Sequence, residues 1–337
     1  MTGRSVFIGA SMSGIEALRT LAGLLPADFP APIFVVQHVG PSSPGYLPEI
    51  LSRAGPLRAV HPRDGEEIEP ARIYVAPPDH HMLVDRKRVR LSHGPRENHV
   101  RPAVDPLFRS AAVAHGGAAI GVVLTGNLDD GTAGLLAIKD CGGTAIVQDP
   151  AEAPAPSMPR SALRHVKVDH QLPLHGIAET LVALARDDPF SAGESSDLDL
   201  MLAENHIVAG VFGVADWAAL EQRSIASGLN CPQCRSALYE IRDPRILRFR
   251  CRSGHGYSAL SLASAQTEAH EAQLACLFGL AAEEASLARR ISTGAGIADD
   301  ARSAAFLRDR ISLLEGEAEQ LAGWLNATAR VAPPPGH

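Results

Sequence analysis

Aromatic side chains are scarce in this chain of 337 residues, with two Trp, four Tyr and nine Phe making up 4% of it. Its core must rest on aliphatic side chains, and nucleic-acid recognition by stacking on aromatic platforms has little to use. An excess of positive charge is missing as well. Against 38 Asp and Glu there are 31 Lys and Arg, a formal net charge of -7, which gives no general attraction to phosphate backbones or anionic membranes. No apolar run approaches the ~18 residues of a membrane span, so membrane insertion is not expected. The N-terminus shows no basic segment followed by an apolar run and a cleavage site, and no signal peptide is expected. Five unevenly placed cysteines do not make a disulfide framework. Together these absences point to a cytoplasmic protein without nucleic-acid partners.

What is present is a repeated strand–helix pattern over the first 186 residues. Val6-Phe7-Ile8-Gly9-Ala10 is an apolar run that stops at Ser11, and a helical pattern restarts at Gly14 with Ile15, Leu18, Ala22 and Leu25 on one face. Buried-type strands follow at Ile33–Gln37, Arg72–Ala76, Ala119–Leu124 and Thr144–Gln148, with a shorter one at Val166–Val168. Helices are expected near Tyr46–Arg53, at Val104–His115, Gly131–Asp140 and Ile177–Arg186, and from Ser157. Met82–Val84 and Arg88–Leu91 flank Asp85-Arg86-Lys87 as a hairpin. The fold expected is a doubly wound, mostly parallel α/β sheet with an attached β-hairpin.

Composition changes after that. Asp187 to Asp199 is acidic and rich in Ser, Gly and Pro, the character of a linker. Leu198 to Val211 fits strand and helix equally. From Ala259, long Ala/Leu/Glu/Arg segments read as two helices broken near Thr293-Gly294-Ala295-Gly296, with a disordered end from Ala332 to His337. The division expected is a catalytic domain at 1–186, a linker and connecting segment at 187–225, a zinc-ribbon-like module at 226–258 and a helical region at 259–330. Apolar helix faces carrying Leu274, Leu277 and Leu280 are expected to pack the helices on each other or to pair them between subunits of a homo-oligomer.

Ser11, His38 and Asp130 all fall at the carboxyl ends of strands, where an open parallel sheet gathers its sites. A serine hydroxyl needs an imidazole base, and that imidazole needs a carboxylate to fix its tautomer. Taken singly, Ser11 reads more readily as a turn or N-cap residue, His38 as a satisfied loop histidine and Asp130 as a turn or helix cap. Their coincidence at one edge favours acyl chemistry. A nucleotide site is the weaker reading, because the second strand ends in Gln37-His38 rather than in a ribose-binding acid and Gly9 to Gly14 lacks a middle glycine. Asp129 competes with Asp130 for the orienting role. His80, His81 and His99 show no recognisable ligand spacing, and Arg101 reads better as a structural partner of a carboxylate than as a substrate clamp.

Six ordered blocks carry a resemblance. Ile8-Gly9-Ala10-Ser11 with Gly14, Val36-Gln37-His38, Tyr74-Val75-Ala76-Pro77, Arg101 to Phe108, Leu124-Thr125-Gly126 with Asp130-Gly131, and Met158-Pro159-Arg160 together resemble the catalytic domain of the chemotaxis-receptor methylesterases, the CheB family, over roughly residues 4–185. The resemblance implies a Ser-His-Asp triad of Ser11, His38 and Asp130, favours Asp130 over Asp129, and implies hydrolysis of glutamate γ-methyl esters and deamidation of glutamines on receptors. The expected substrate is thus a methylated receptor or a related signalling protein, with no cofactor for catalysis. The family's receiver domain, which usually precedes the catalytic one, has no counterpart in this sequence. Ser-Thr-Gly-Gly becomes Ser11-Met12-Ser13-Gly14, Thr-Gly-Met-Gly-x-Asp-Gly becomes Thr125 to Gly131 with Asn127 and Leu128, and a frequent arginine falls near Ile50. The competing functions are an adaptor that keeps the fold without efficient catalysis, and an esterase of small molecules.

In the tail, Cys231-Pro232-Gln233-Cys234 and Cys251-Arg252-Ser253-Gly254-His255 form a C-x₂-C followed by a C-x₃-H. Three thiolates and an imidazole on two tight turns can close a tetrahedron around a structural Zn²⁺. The arginines at 242, 245, 248, 250 and 252 make this module locally basic, as a solvated strand face or a dock for an acidic protein surface.

Overall fold

The computed structural model describes residues 3–187, 197–294 and 301–331. Most of the expected linker, the break between the last two helices and the C-terminal tail lie outside the described residues. Up to Leu262 the described chain forms one compact unit, and from Ala263 a second.

The first unit is built on a sheet of seven parallel strands. Its strands are β1 (Ser5–Ala10), β2 (Ile33–Gln37), β3 (Arg58–Val60), β4 (Arg72–Val75), β7 (Ala119–Val123), β8 (Thr144–Gln148) and β9 (His170–Leu172), ordered β3-β4-β2-β1-β7-β8-β9. Between β4 and β7 the chain makes an antiparallel hairpin, β5 (His81–Val84) with β6 (Val89–Ser92). The flanking helices are α1 (Gly14–Leu24), α2 (Leu47–Ala54), α3 (Val104–His115), α4 (Thr132–Asp140), α5 (Ser157–His165) and, after the last strand, α6 (Leu174–Arg186). Strands buried on both faces read as continuous apolar runs, which is why they were legible. One face carries Phe7, Phe34 and Tyr74 stacked across neighbouring strands at 5.0 and 5.3 Å, and the other carries Val6, Ile8, Ile33 and Val35.

The strand expected at Val166–Val168 is misplaced. The Val166 N–H closes α5 on the Ala162 carbonyl, so pairing with β8 begins only at His170. The ambiguous segment after the linker is a helix, α7 (Leu198–Ala209), followed by α8 (Val214–Gln222). A four-stranded antiparallel sheet comes next, with β10 (Ser224–Asn230), β11 (Ala237–Ile241), β12 (Arg248–Cys251) and β13 (Gly256–Ser258) in order. This small sheet belongs to the first unit, and β13 bridges to Glu97 while its Gly256 carbonyl accepts the Asn98 N–H. Gly254, at φ +94°, has no room for a side chain: a Cβ would stand 2.6 Å from Pro95 and 2.8 Å from Ile207.

Two long helices close the chain, α9 (Ala259–Thr293) and α10 (Ala301–Val331). In the second unit they meet through Ala281, Ala285, Leu314 and Ala318, with ion pairs Arg289–Glu315 and Arg310–Glu284.

Candidate active site

The order of the sheet reverses between β1 and β7. Ser11 follows β1, His38 follows its neighbour β2, and Asp130 lies in the loop after β7. Register does the rest, pairing Ala10 with Gln37 so that the next residue on each strand faces the other. Nδ1 of His38 lies 3.1 Å from the Ser11 hydroxyl, and Nε2 lies 2.6 Å from Oδ2 of Asp130. With Nε2–H donated to the carboxylate, Nδ1 presents a lone pair to the serine. Gln37 ties the two strand ends together, since its Nε2 donates to the carbonyls of both Ser11 (2.7 Å) and His38 (3.0 Å).

Asp130 is buried, yet it is held as an anion. Burial works to raise its pKa, but the His38 bond and charge, the Val104 N–H and the Asn98 amide outweigh that and bring it to about 2. Val104 N donates to Oδ2 at 2.7 Å, while Asp105 N, Asn98 Nδ2 and Gly131 N donate to Oδ1 at 3.1, 2.8 and 2.9 Å. Val104 and Asp105 are the first residues of α3, so the carboxylate caps that helix and draws on its otherwise unpaired N–H groups. Gly9 permits the approach. A Cβ there would sit 2.3 Å from Val104 Cγ1, pushing the start of α3 off β1.

The competing residues fall elsewhere. Asp129 accepts from the Ser258 hydroxyl at 2.5 Å, its pKa lifted to about 6 chiefly by burial, whereas the imidazole of His38 bonds Asp130. Arg101 bonds Asp79 at 2.8 Å and the carbonyls of His93 and Gly94, as a structural partner does. His81 is buried and neutral: Nε2 donates to the Pro95 carbonyl, Nδ1 accepts from Ala103, and burial lowers its pKa to about 4. Two departures from the family pattern share one conformation. Ser13 and Leu128, each standing where the family often has glycine, both keep φ at 60°. Left-handed backbone costs an L-residue roughly 1–2 kcal/mol, so the turns retain the glycine shape and carry an added side chain. Met12 and Leu128 are partly exposed apolar residues beside the serine turn and the aspartate loop.

In the small sheet, the Sγ atoms of Cys231, Cys234 and Cys251 and a ring nitrogen of His255 lie within 4.8 Å of one another. Cys234–Cys251 Sγ atoms are 3.6 Å apart, and His255 Nδ1 is 3.6 and 3.5 Å from the sulfurs of Cys231 and Cys251. Metal–ligand bonds of about 2.0–2.3 Å in a tetrahedron imply edges of about 3.3–3.8 Å, which these separations fit. The four residues can therefore hold a metal.

Sequence reasoning did not single out Asn98 or the roles of Gln37, Val104 and Asp105. Each acts through contacts of one amide or backbone group with residues distant in sequence, a signal that periodicity does not carry.

A doubly wound α/β domain with a serine, a histidine and an aspartate in hydrogen-bond sequence at its switch point belongs to the ester-hydrolase class of architectures. Comparison with known proteins narrows this. Residues 6–181 match the CheB methylesterase family, and the chain belongs to it, a family of carboxylic-ester hydrolases acting in chemotaxis signalling. A Leptospira interrogans protein, provisionally named a protein-glutamate methylesterase/protein-glutamine glutaminase, is 40% identical over 189 residues, 56% of this chain and 98% of that one. Protein-glutamate methylesterase/protein-glutamine glutaminase 2 of Anaeromyxobacter dehalogenans is 39% identical over 181 residues, 54% of this chain and 53% of its own. The crystal structure of the Thermotoga maritima CheB methylesterase catalytic domain matches with a TM-score of 0.53 and 36% identity, over 55% of this chain and 100% of that one.

Proposed function

We propose that Ser11 is the nucleophile, His38 the base and Asp130 the orienting acid of a protein-glutamate methylesterase with a glutaminase side activity, acting in the cytoplasm on a methylated chemoreceptor or related signalling protein. The observation that carries this is the unbroken hydrogen-bond chain from the Ser11 hydroxyl through His38 to Asp130. Nδ1 takes the serine proton as Oγ attacks the ester carbonyl. The N–H groups of Met12 and Ser13, in the turn leading into α1, are the proposed donors to the oxyanion. Nδ1–H then protonates the leaving methoxide, and methanol departs. Water, activated by the same nitrogen, releases the glutamate carboxylate. With a glutamine the leaving group is ammonia, by the same steps. Asp130, held as an anion by the His38, Val104 and Asn98 hydrogen bonds, steadies the imidazolium formed on the way.

The cysteine cluster is read as a structural zinc site. Its three thiolates and one imidazole leave no open coordination position, which suits a folding role. Exposed Leu277, Leu280, Leu287, Phe306, Leu313 and Trp324 on the last two helices support association between copies. Sedimentation at the mass of one chain would reject that association.

The test is labelling of the purified protein by a fluorophosphonate, beside Ser11→Ala. Wild type is expected to label and Ser11→Ala to lose the label. Equal labelling of the two rejects Ser11 as nucleophile.

A further inference from the structure

Asn98 is 7% exposed, and both polar atoms of its side chain are spoken for. Inward, Nδ2 divides between Oδ1 of Asp130 and Oδ2 of Asp105, each at 2.8 Å. Outward, Oδ1 accepts from the Ser258 N–H at 2.8 Å and the Ser261 hydroxyl at 2.9 Å. Those two donors come from the end of β13 and the start of α9, beyond the family-matched residues 6–181. A second strut runs alongside, from the Ser258 hydroxyl to Asp129, the neighbour of Asp130. The cysteine-bearing sheet thus reaches the 129–130 pair by two routes.

We propose that Asn98 is a positioning residue for the reaction at Ser11 and that the Ser258–Ser261 turn aims it, so that the C-terminal module completes the active site. This rests on the reading of Ser11, His38 and Asp130 as the catalytic group. An amide has two faces of opposite polarity. Two donors on its oxygen fix the plane, and the NH₂ group then points at the carboxylates. Asp130 Oδ2 serves His38 and the Val104 N–H, and Oδ1 is the oxygen that Asn98 holds. Releasing Oδ1 lets the carboxylate rotate and draws Oδ2 off the imidazole line. Backbone donors from Asp105 and Gly131 remain on Oδ1, so the loss is partial.

The experiment uses the full chain with p-nitrophenyl acetate as probe, reading kcat, KM and melting temperature. A hydrogen bond to a charged group contributes enough for a roughly 10–100-fold effect when its donor is removed outright. Asn98→Gly, which keeps the φ of +51° accessible, is expected to lower kcat and kcat/KM together by about that factor. Ser261→Ala is expected to lower both by about 3–10-fold, being one bond further away, and Ser261→Thr to restore them to within about twofold. Wild-type kcat in folded Ser261→Ala, or a fall in melting temperature with kcat intact, overturns the proposal and leaves the turn structural only. Activity that survives Ser11→Ala instead overturns the triad reading, and this proposal with it.

Discussion

At the scale of single residues, the site is a set of carboxyl groups given different work by their surroundings. Asp130 is drawn down to about 2 and Asp129, its neighbour, is lifted to about 6. Asp129 lies in a buried place where its acceptor contact is the Ser258 hydroxyl, whereas Asp130 collects a helix N-terminus, an amide and an imidazole. A carboxyl whose folded pKa exceeds its unfolded value of about 3.9 binds its proton more tightly when folded. Its contribution favours the fold below pH 4 and is lost as pH rises through 6. Asp129→Asn keeps an acceptor for Ser258 and removes that loss. Relative to wild type, the variant is expected to gain about 1–1.5 kcal/mol between pH 5 and pH 8, the rest of the effect having accrued between pH 4 and pH 5. Melting curves at both pH values check this, and a gap that stays constant or moves against the variant contradicts it. Ser11 and His38 were legible because each directly follows a strand, and Asp130 because it lies in the loop after β7. The Asn98 link was not, since it depends on the packing of a module more than 150 positions away in sequence.

At the scale of elements, legibility followed burial. β1, β2, β7 and β8 each carry a continuous apolar run, with polar residues only at its ends, and each stands where its pattern places it. α7 defeated the pattern because it is buried on several sides at once: Leu200, Met201, Ala203, Glu204, Ile207 and Val208 are all covered, leaving no single stripe. β3 is three residues at the sheet edge, and β10 is mostly exposed with Gly228 at φ +75° breaking its alternation. Neither offered a periodic signal. The cysteine spacing, by contrast, located the second sheet without any help from periodicity. If that cluster holds structural zinc, Cys231→Ala and Cys251→Ala are expected to lose the bound metal, read by elemental analysis, and to melt at lower temperature. Unchanged metal content, or a wild-type protein purified in zinc buffer that carries no zinc, rejects the assignment.

At the scale of the whole first unit, charge is the unexpected fastener. Glu97 and Arg109 from the catalytic layer, Glu204 from α7 and Arg250 from β12 form one buried cluster. Arg250 reaches Glu97 at 2.5 Å and Glu204 at 2.9 Å, and Arg109 closes on Glu97 through its two terminal guanidinium nitrogens. Composition cannot announce such a cluster, since charged residues usually read as surface. Arg248 also reaches Glu204 at 3.0 Å, so losing Arg250 leaves Glu97 with Arg109 and Glu204 with Arg248. Arg250→Met is therefore expected to destabilise the protein by about 2–3 kcal/mol in chemical denaturation, short of the roughly 3–5 kcal/mol of a buried charge left with no partner. A change under about 1 kcal/mol contradicts the role given to the cluster. With the small sheet locked down this way, the described residues between 197 and 262 extend the CheB methylesterase domain within one compact unit.

The central claim, that this site hydrolyses a protein glutamate methyl ester from Ser11, is tested most directly by methanol release. Chemoreceptors carrying radiolabelled methyl groups are incubated with the wild-type chain and with Ser11→Ala, and volatile label is counted. Steady release by wild type and background release by Ser11→Ala are expected. No release by folded wild type, or equal release by both proteins, contradicts it.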